Sequence, residues 1–412
     1  MFKKIHTHLF LCFMFGGFLS AQVTAQPIAM GYYTNWGTYK GYPVGNAQLN
    51  QQAKLLDVLA YAFFEVDLNG TLYFSDPWSD LDKRDAAFCA QHQAICKNTA
   101  ATDGLGNFSK LMRDKIYPNV KIIISVGGAG HDDSFQNAFA NTKNFISSLR
   151  SIAENYPIAG IDFDFEPSKW SANDANNYVN FVSEIRRTFP AMLITAAVTA
   201  NPDIIQQFQA VNWQRFAASV NYLGVMAYDF HGGFDGTGNK TGFHSNLYSD
   251  DKDPYQHHFS ADVAVKTYLA MGVPANKLLL GIPAYGRVFA DVADGGTKGL
   301  YQAMGAAYTK GDLDGEMQSY QAIIGNWLGK GFTDYWYSVP GTIPASLLSG
   351  IYAYNPAQKL FVVFDNTALV DAKAQYVKDK QLGGMMMWEL RGDVNPNDNA
   401  SLLKHMAAGM KN

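Results

Sequence analysis

Short apolar or alternating runs recur along the chain, separated by stretches of helical periodicity. Eight of them predict strands: Ile28–Tyr33, Leu55–Phe64, Lys121–Val126, Gly160–Phe165, Met192–Val198, Tyr222–Met226, Lys277–Ile282 and Gly384–Trp388. After the third strand, Phe145, Leu149, Ile152, Ala153 and Tyr156 fall on one helical face. After the fourth, Tyr178, Phe181, Val182, Ile185 and Phe189 do the same, behind a start that Ser171 and Asp174 are suited to cap. Alternation of this kind predicts a (β/α)8 TIM barrel, although a doubly wound open sheet shares the pattern through its first half.

Two stretches exceed what a barrel needs. Residues 65–120 form a long polar connection after the second strand, carrying Trp78, Cys89 and Cys96. Residues 288–360 are dense in aromatics and read as a small α+β module inserted between the seventh and eighth strands. No internal repeat or low-complexity linker interrupts the pattern.

At the N-terminus, Lys3 and Lys4 precede an apolar stretch from Leu9 to Leu19, then the small residues Ser20, Ala21, Thr24 and Ala25. That is the build of a secretory signal peptide, cleaved after Ala25 or alternatively after Ala21, leaving residues 26–412 as one domain. About eleven apolar residues are too few to span a bilayer, and no later run is long enough. The expectation is a secreted protein, extracellular or periplasmic, free of the membrane after cleavage. Cys12 departs with the signal. In an oxidising compartment Cys89 and Cys96 would form one local disulfide; two free thiols on successive helical turns are the alternative.

Composition narrows the function. With 48% hydrophobic and 17% charged residues, the 412-residue chain is neither disordered, collagenous nor a coiled coil. A net charge of −4 without any basic run argues against nucleic acid. The nine histidines include no His-Glu-x-x-His pattern and the cysteines no zinc constellation, so no metal or other cofactor is expected. Neither a serine nucleophile elbow nor a Walker loop is present.

The chemistry is concentrated on the fourth strand, Gly160-Ile161-Asp162-Phe163-Asp164-Phe165-Glu166-Pro167. Side chains two apart on a strand share a face about 7 Å apart. Asp162, Asp164 and Glu166 therefore line one face and Ile161, Phe163 and Phe165 the other. In a barrel strand the apolar face meets the helices, so the carboxylates must point inward and rise toward the C-terminal mouth. Crowded carboxylates cannot all ionise easily; at least one retains a proton near neutrality. Glu166, at the mouth, is best placed to donate it. A half-exposed strand with water-facing acids would look similar, but here the neighbouring strands read as buried and parallel.

At these residues the chain resembles the family 18 glycoside hydrolases, the chitinase family, whose strand-four signature is Asp-x-x-Asp-x-Asp-x-Glu. The resemblance extends in order over nearly the whole mature chain. It includes Gly31-Tyr32-Tyr33-Thr34-Asn35-Trp36, Tyr61-Ala62-Phe63, Ser125-Val126-Gly127-Gly128, Met226-Ala227-Tyr228-Asp229, Tyr285-Gly286-Arg287 and Gly384-x-Met386-x-Trp388. The insertion before strand eight resembles a module that deepens the cleft in one subgroup.

The resemblance implies hydrolysis of β-1,4-linked N-acetylglucosamine polymers or oligomers, with retention and without an enzyme nucleophile. It makes Glu166 the acid, Asp164 the residue that orients the substrate acetamide, and Asp162 its tuner. Tyr228 and Asp229 hold the acetamide from the other side, and Trp388 floors the reacting sugar. Tyr32, Phe63, Gly128, Met226, Tyr285 and Arg287 would line the pocket of an enzyme expected to act as a monomer. Trp36, Trp170, Trp213, Trp327 and Trp336 are further candidates for a glycan cleft. Rival readings are an endo-β-N-acetylglucosaminidase on N-glycans, a peptidoglycan hydrolase, and a chitin-binding lectin without turnover.

Three positions depart from the family pattern. Ala159 replaces the first aspartate of the signature, Ala129 stands where many members carry tryptophan, and Phe165 replaces a tryptophan beside the acid. They imply altered support for the carboxylates, one aromatic platform fewer toward the leaving group, and a mild change beside the acid.

Overall fold

Eight parallel strands close on themselves: Ile28–Thr34, Val58–Val66, Lys121–Gly127, Gly160–Asp164, Leu193–Thr199, Tyr222–Met226, Leu278–Pro283 and Gly384–Trp388. This computed structural model describes residues 26–97, 103–166, 171–207, 212–255, 259–339 and 348–411. The expected signal peptide and Trp170 lie outside the described residues. Closure comes from the first strand, which pairs in parallel with the second and with the eighth. The second strand begins at Val58, later than the pattern suggested, because Ala53–Leu55 finish the preceding helix as a 3-10 turn.

Alternation along the strands sorts the core into two layers. Met30, Tyr32, Val58, Ala60, Ala62, Ile123, Leu279 and Met386 fill the barrel interior. Their sequence neighbours, such as Tyr33, Leu59, Ile124, Ile161 and Phe163, pack outward against the helices. Helix Thr142–Asn155 buries Phe145, Leu149 and Ile152, and helix Ala172–Thr188 follows it. Phe163 lies 6.2 Å from the Phe145 ring and 5.5 Å from that of Phe181. The second helix starts where the sequence placed it: Ser171 and Asp174 exchange backbone N–H to side-chain bonds of 3.1 Å, satisfying two otherwise orphaned donors.

Both long connections are structured. After the second strand the chain returns as an antiparallel strand, Leu72–Phe74. Beyond it, Cys89 and Cys96 are joined in a buried disulfide. Between the seventh and eighth barrel strands lies a separate antiparallel sheet, with strands in the order Met304–Ala307, Tyr285–Val292, Leu360–Phe364, Gly350–Asn355 and Thr333–Tyr337. Phe243, Phe289, Tyr352 and Phe361 form its core. The seventh barrel strand ends at Pro283 and the sheet begins at Tyr285, so the chain passes from barrel wall to insertion at the mouth itself.

The chain returns from this sheet through a fully buried ion pair. Lys373 Nζ donates to Asp365 Oδ2 at 2.5 Å and Ser245 Oγ to Asp365 Oδ1 at 2.6 Å. Burial pulls the Lys373 ammonium below its ordinary pKa against the opposing pull of Asp365. A lone charge in this position is far costlier than the pair. Asp365→Leu should therefore destabilise the fold by about 3–5 kcal/mol, and Lys373→Met in the same chain should recover most of that loss. Chemical denaturation of the two variants measures both effects.

Candidate active site

Parallel pairing on both sides of the fourth strand forces its side chains to alternate between interior and helix layer and stacks Asp162 below Asp164. Glu166, two residues past the strand end, continues the column within hydrogen-bond reach of Asp164. Asp162 is completely buried and accepts hydrogen bonds from three other strands. Tyr32 donates at 3.0 Å, Ser125 at 2.8 Å, and Thr195 more closely. Burial raises the Asp162 pKa, and these hydroxyls oppose the rise.

Asp164 sits one step higher, with Oδ1 buried and without a hydrogen-bond partner among the described residues. Its pKa is raised well above the carboxylate range. Burial is the main cause, followed by the charges of Glu166 and Asp162 and a hydrogen bond shared with Glu166. Two carboxyl groups hydrogen-bond each other only if one carries a proton, so the pair holds a proton between them. Glu166, the outer member, is half-buried and opens onto a cavity of about 740 Å³ at the C-terminal mouth.

That cavity brings together most of the residues selected from sequence: Phe63, Gly128, Asp164, Glu166, Met226, Tyr228, Asp229, Arg287 and Trp388 all line it. Phe63 and Trp388 stack at 5.7 Å between ring centroids. Gly128 permits this packing, since a Cβ there would stand 2.6 Å from the Phe63 ring. Trp36, 39% exposed, continues the aromatic wall 5.8 Å from Phe63. Tyr228 is held by burial in its neutral form, with its hydroxyl 3.8 Å from Met386 Sδ.

Asp229 closes the opposite side. Its backbone adopts φ +59°, a left-handed conformation that aspartate tolerates better than most residues. Its carboxylate accepts from Tyr285 at 2.8 Å and from Arg287 at 2.8 and 2.7 Å, and Arg287 reaches on to Glu316 at 2.8 Å. Burial is the largest single influence on Asp229 and raises its pKa, but the charge and hydrogen bond of Arg287 together with the His244 contact outweigh it and hold the group well below the usual range. His244 Nδ1 lies 3.5 Å away, kept neutral by its own burial.

Several expectations are revised. Tyr32 and Tyr285 do not line the cavity; each stands one layer behind, bracing Asp162 and Asp229 respectively. Both are nearly inaccessible, with their hydroxyls directed at the carboxylates they support. Trp213 is buried against helix packing, Trp327 stacks on Phe332, and Trp336 is exposed on the inserted sheet. Phe165 packs against Phe135 and Tyr178 on the helix side. Ala159 adds a methyl group to the apolar floor of the barrel.

The structure also assembles residues that sequence reasoning missed. Ser125 and Thr195 hold Asp162, while Glu389 lines the cavity beside Trp388, accepting from Thr34 and Arg391. A second cavity of about 400 Å³ shares Glu166, Met226, Tyr228 and Asp229 with the first and extends toward Asn201, Phe234 and Phe259. Among the described residues, no group of three or more His, Cys, Asp or Glu is placed to hold a metal ion.

A barrel mouth built around such a carboxylate column is matched by the sequence model of the glycosyl hydrolases of family 18, which covers residues 28–393. The chain belongs to that family. Relatives include Chitinase 1 of Aphanocladium album, 27% identical over 396 residues that cover 92% of this chain and 84% of the relative. Chitinase C of Streptomyces lividans is 31% identical over 392 residues, 91% of this chain and 59% of the relative. Among solved structures, the chitinase ChiA74 from Bacillus thuringiensis superposes with a TM-score of 0.78 at 24% identity, covering 94% of this chain and 70% of that one. That likeness establishes the (β/α)8 barrel fold.

The electrostatics of the column make a stability prediction. The native state binds the Asp164 proton more tightly than the unfolded chain does, so its contribution to stability falls as pH rises above the ordinary carboxylate range. Asp164→Asn removes that penalty. It should raise the thermal midpoint at pH 7 by about 2 °C, with the gain shrinking toward pH 4. Scanning calorimetry of both proteins across this range reads the difference.

Proposed function

We propose that this chain is an exported chitinase. It hydrolyses β-1,4 linkages between N-acetylglucosamine units with retention of anomeric configuration and uses the substrate acetamide as the nucleophile. The observation that carries the reading is the Asp164–Glu166 carboxyl pair at the edge of an aromatic-floored cavity, where burial and mutual charge favour keeping a proton. The family relationship supports it, and the signal-like N-terminus supports export.

In this reading the sugar to be cleaved lies on Trp388, its acetamide between Asp164 and the Tyr228–Asp229 side. Glu166 gives its proton to the glycosidic oxygen as the bond to the anomeric carbon breaks. The acetamide oxygen forms the replacement bond to that carbon, and the resulting oxazolinium ion is stabilised by Asp164 through its N–H. Water then attacks the anomeric carbon from the vacated side, returning its proton to Glu166 and reopening the ring. Two inversions give net retention. Asp162 keeps the negative charge of the column close to the developing cation, and the second cavity beyond Glu166 receives the leaving-group sugars.

Short-time hydrolysis of N-acetylglucosamine tetramer to hexamer, with product anomers resolved, tests the reading. The wild type should release β-anomer first. Glu166→Gln should lose about 10²–10⁴-fold in kcat while still binding the oligomers, because the amide keeps the shape without the proton. Efficient cleavage of unacetylated cello-oligosaccharides would sink the substrate-assisted mechanism. Binding without turnover by both proteins would identify a lectin.

A further inference from the structure

His231 follows the Tyr228–Asp229 side of the site by two residues, yet it lines neither cavity. It is almost completely buried, and both ring nitrogens face carboxylates. Nδ1 lies 3.2 Å from Asp235 Oδ2 and Nε2 lies 3.3 Å from Asp253 Oδ2. A neutral imidazole has one N–H and one lone pair, so it would turn that lone pair toward a carboxylate; only the imidazolium donates in both directions. Tyr255 stacks on the ring at 4.3 Å, and Phe259 lies at 5.8 Å. The backbone at Gly242 approaches so closely that a Cβ would stand 2.5 Å from the imidazole. Among the described residues, the charged groups facing the ring are Asp235, on its own turn, and Asp253, on the loop 250–255. Asp229 is engaged by Arg287, which also covers the Phe234 ring at 5.2 Å.

The two carboxylates belong to segments with different anchors. The turn Gly233–Asp235 places Phe234 and Asp235 in the wall of the second cavity, and the Gly232 N–H also donates to Asp235. The loop holding Asp253 is tied to the inserted region, where Tyr301 and Tyr337 both donate to Asp250. Tyr255 adds a bond to the Lys240 carbonyl at 2.6 Å.

We propose that His231, as an imidazolium bridging Asp235 and Asp253, is a positioning residue that seats the Phe234 turn against the inserted region and so builds the cavity wall for leaving-group sugars. The assignment of that wall to sugars rests on the chitinase reading above. Burial opposes the charge on His231, but the two carboxylates outweigh it and raise the pKa. The bridge is therefore complete below the unfolded histidine value of about 6.5 and is lost as pH rises through the raised native value.

The readout is the ratio of kcat/KM for N-acetylglucosamine hexamer to that for an aryl glycoside of the dimer, whose leaving group extends no further than the first acceptor position. Taking the ratio cancels the ionisations of Glu166 and Asp164. In the wild type it should be high at pH 6 and fall about tenfold by pH 9, the loss of one charge-assisted bond. His231→Phe should give the low ratio at both pH values. Asp253→Asn should give the high ratio at both, because a neutral imidazole can then donate to Asp235 and accept from the amide. A wild-type ratio that is flat with pH, or a folded His231→Phe with the wild-type ratio, overturns the proposal. If the wild type cleaves neither substrate, the chitinase reading fails instead. The bridge is then tested by thermal midpoints, which should fall more between pH 6 and 9 in the wild type than in Asp253→Asn; equal falls overturn it.

Discussion

Asp162 lies inside the barrel without access to water and accepts hydroxyl hydrogen bonds from Tyr32, Ser125 and Thr195, on the first, third and fifth strands. An unpartnered carboxylate there would be prohibitively costly, so these bonds are the condition on which an acidic column can exist in an apolar interior. They also link strands on both sides of the fourth at the level just below the mouth. Asp164 and Glu166 take their positions from that anchored strand. Asp164 Oδ1 has no such donor among the described residues, and the crowded carboxyl pair favours keeping one proton between Asp164 and Glu166. That proton is thus retained by the surroundings of the column.

The opposite wall follows a different rule. Asp229 stays ionised because Arg287 arrives from the inserted sheet, on a strand that begins two residues after the seventh barrel strand ends. Glu316 holds the far side of Arg287, and Tyr285 fills the space behind. The insertion therefore contributes charge as well as depth. Its attachments through Asp365–Lys373 and through the loop bearing Asp250 and Asp253 are also built on buried charges.

Much of the architecture was legible from local patterning. Alternation on the fourth strand was enough to assign three carboxylates inward and Ile161, Phe163 and Phe165 outward, because a buried strand has only two faces. The Ser171–Asp174 cap was legible because it depends on residues three apart. Ser125 and Thr195 were not selected, since a hydroxyl in a strand carries no sign of the carboxylate it will meet. Tyr32 and Tyr285 were assigned to the cavity wall when their hydroxyls in fact brace it from behind. An aromatic near a barrel mouth fits either place, and only the position of its hydrogen-bond partner decides. Trp213 and Trp327 went into packing for a similar reason: an indole has no preference for glycan over another ring until its neighbours are known.

The sequence by itself determined the order of strands and helices, the orientation of the acidic column and the family to which the chain belongs. All three are written in residue spacing, and spacing survives without knowledge of distant contacts. Only the tertiary structure decided which groups share a proton, which tyrosines line and which support, and how Asp229, Arg287 and His231 acquire their charges. Those properties depend on burial and on partners from remote segments, and electrostatic energy in a low-dielectric interior is set by separations of a few ångströms that no local pattern encodes.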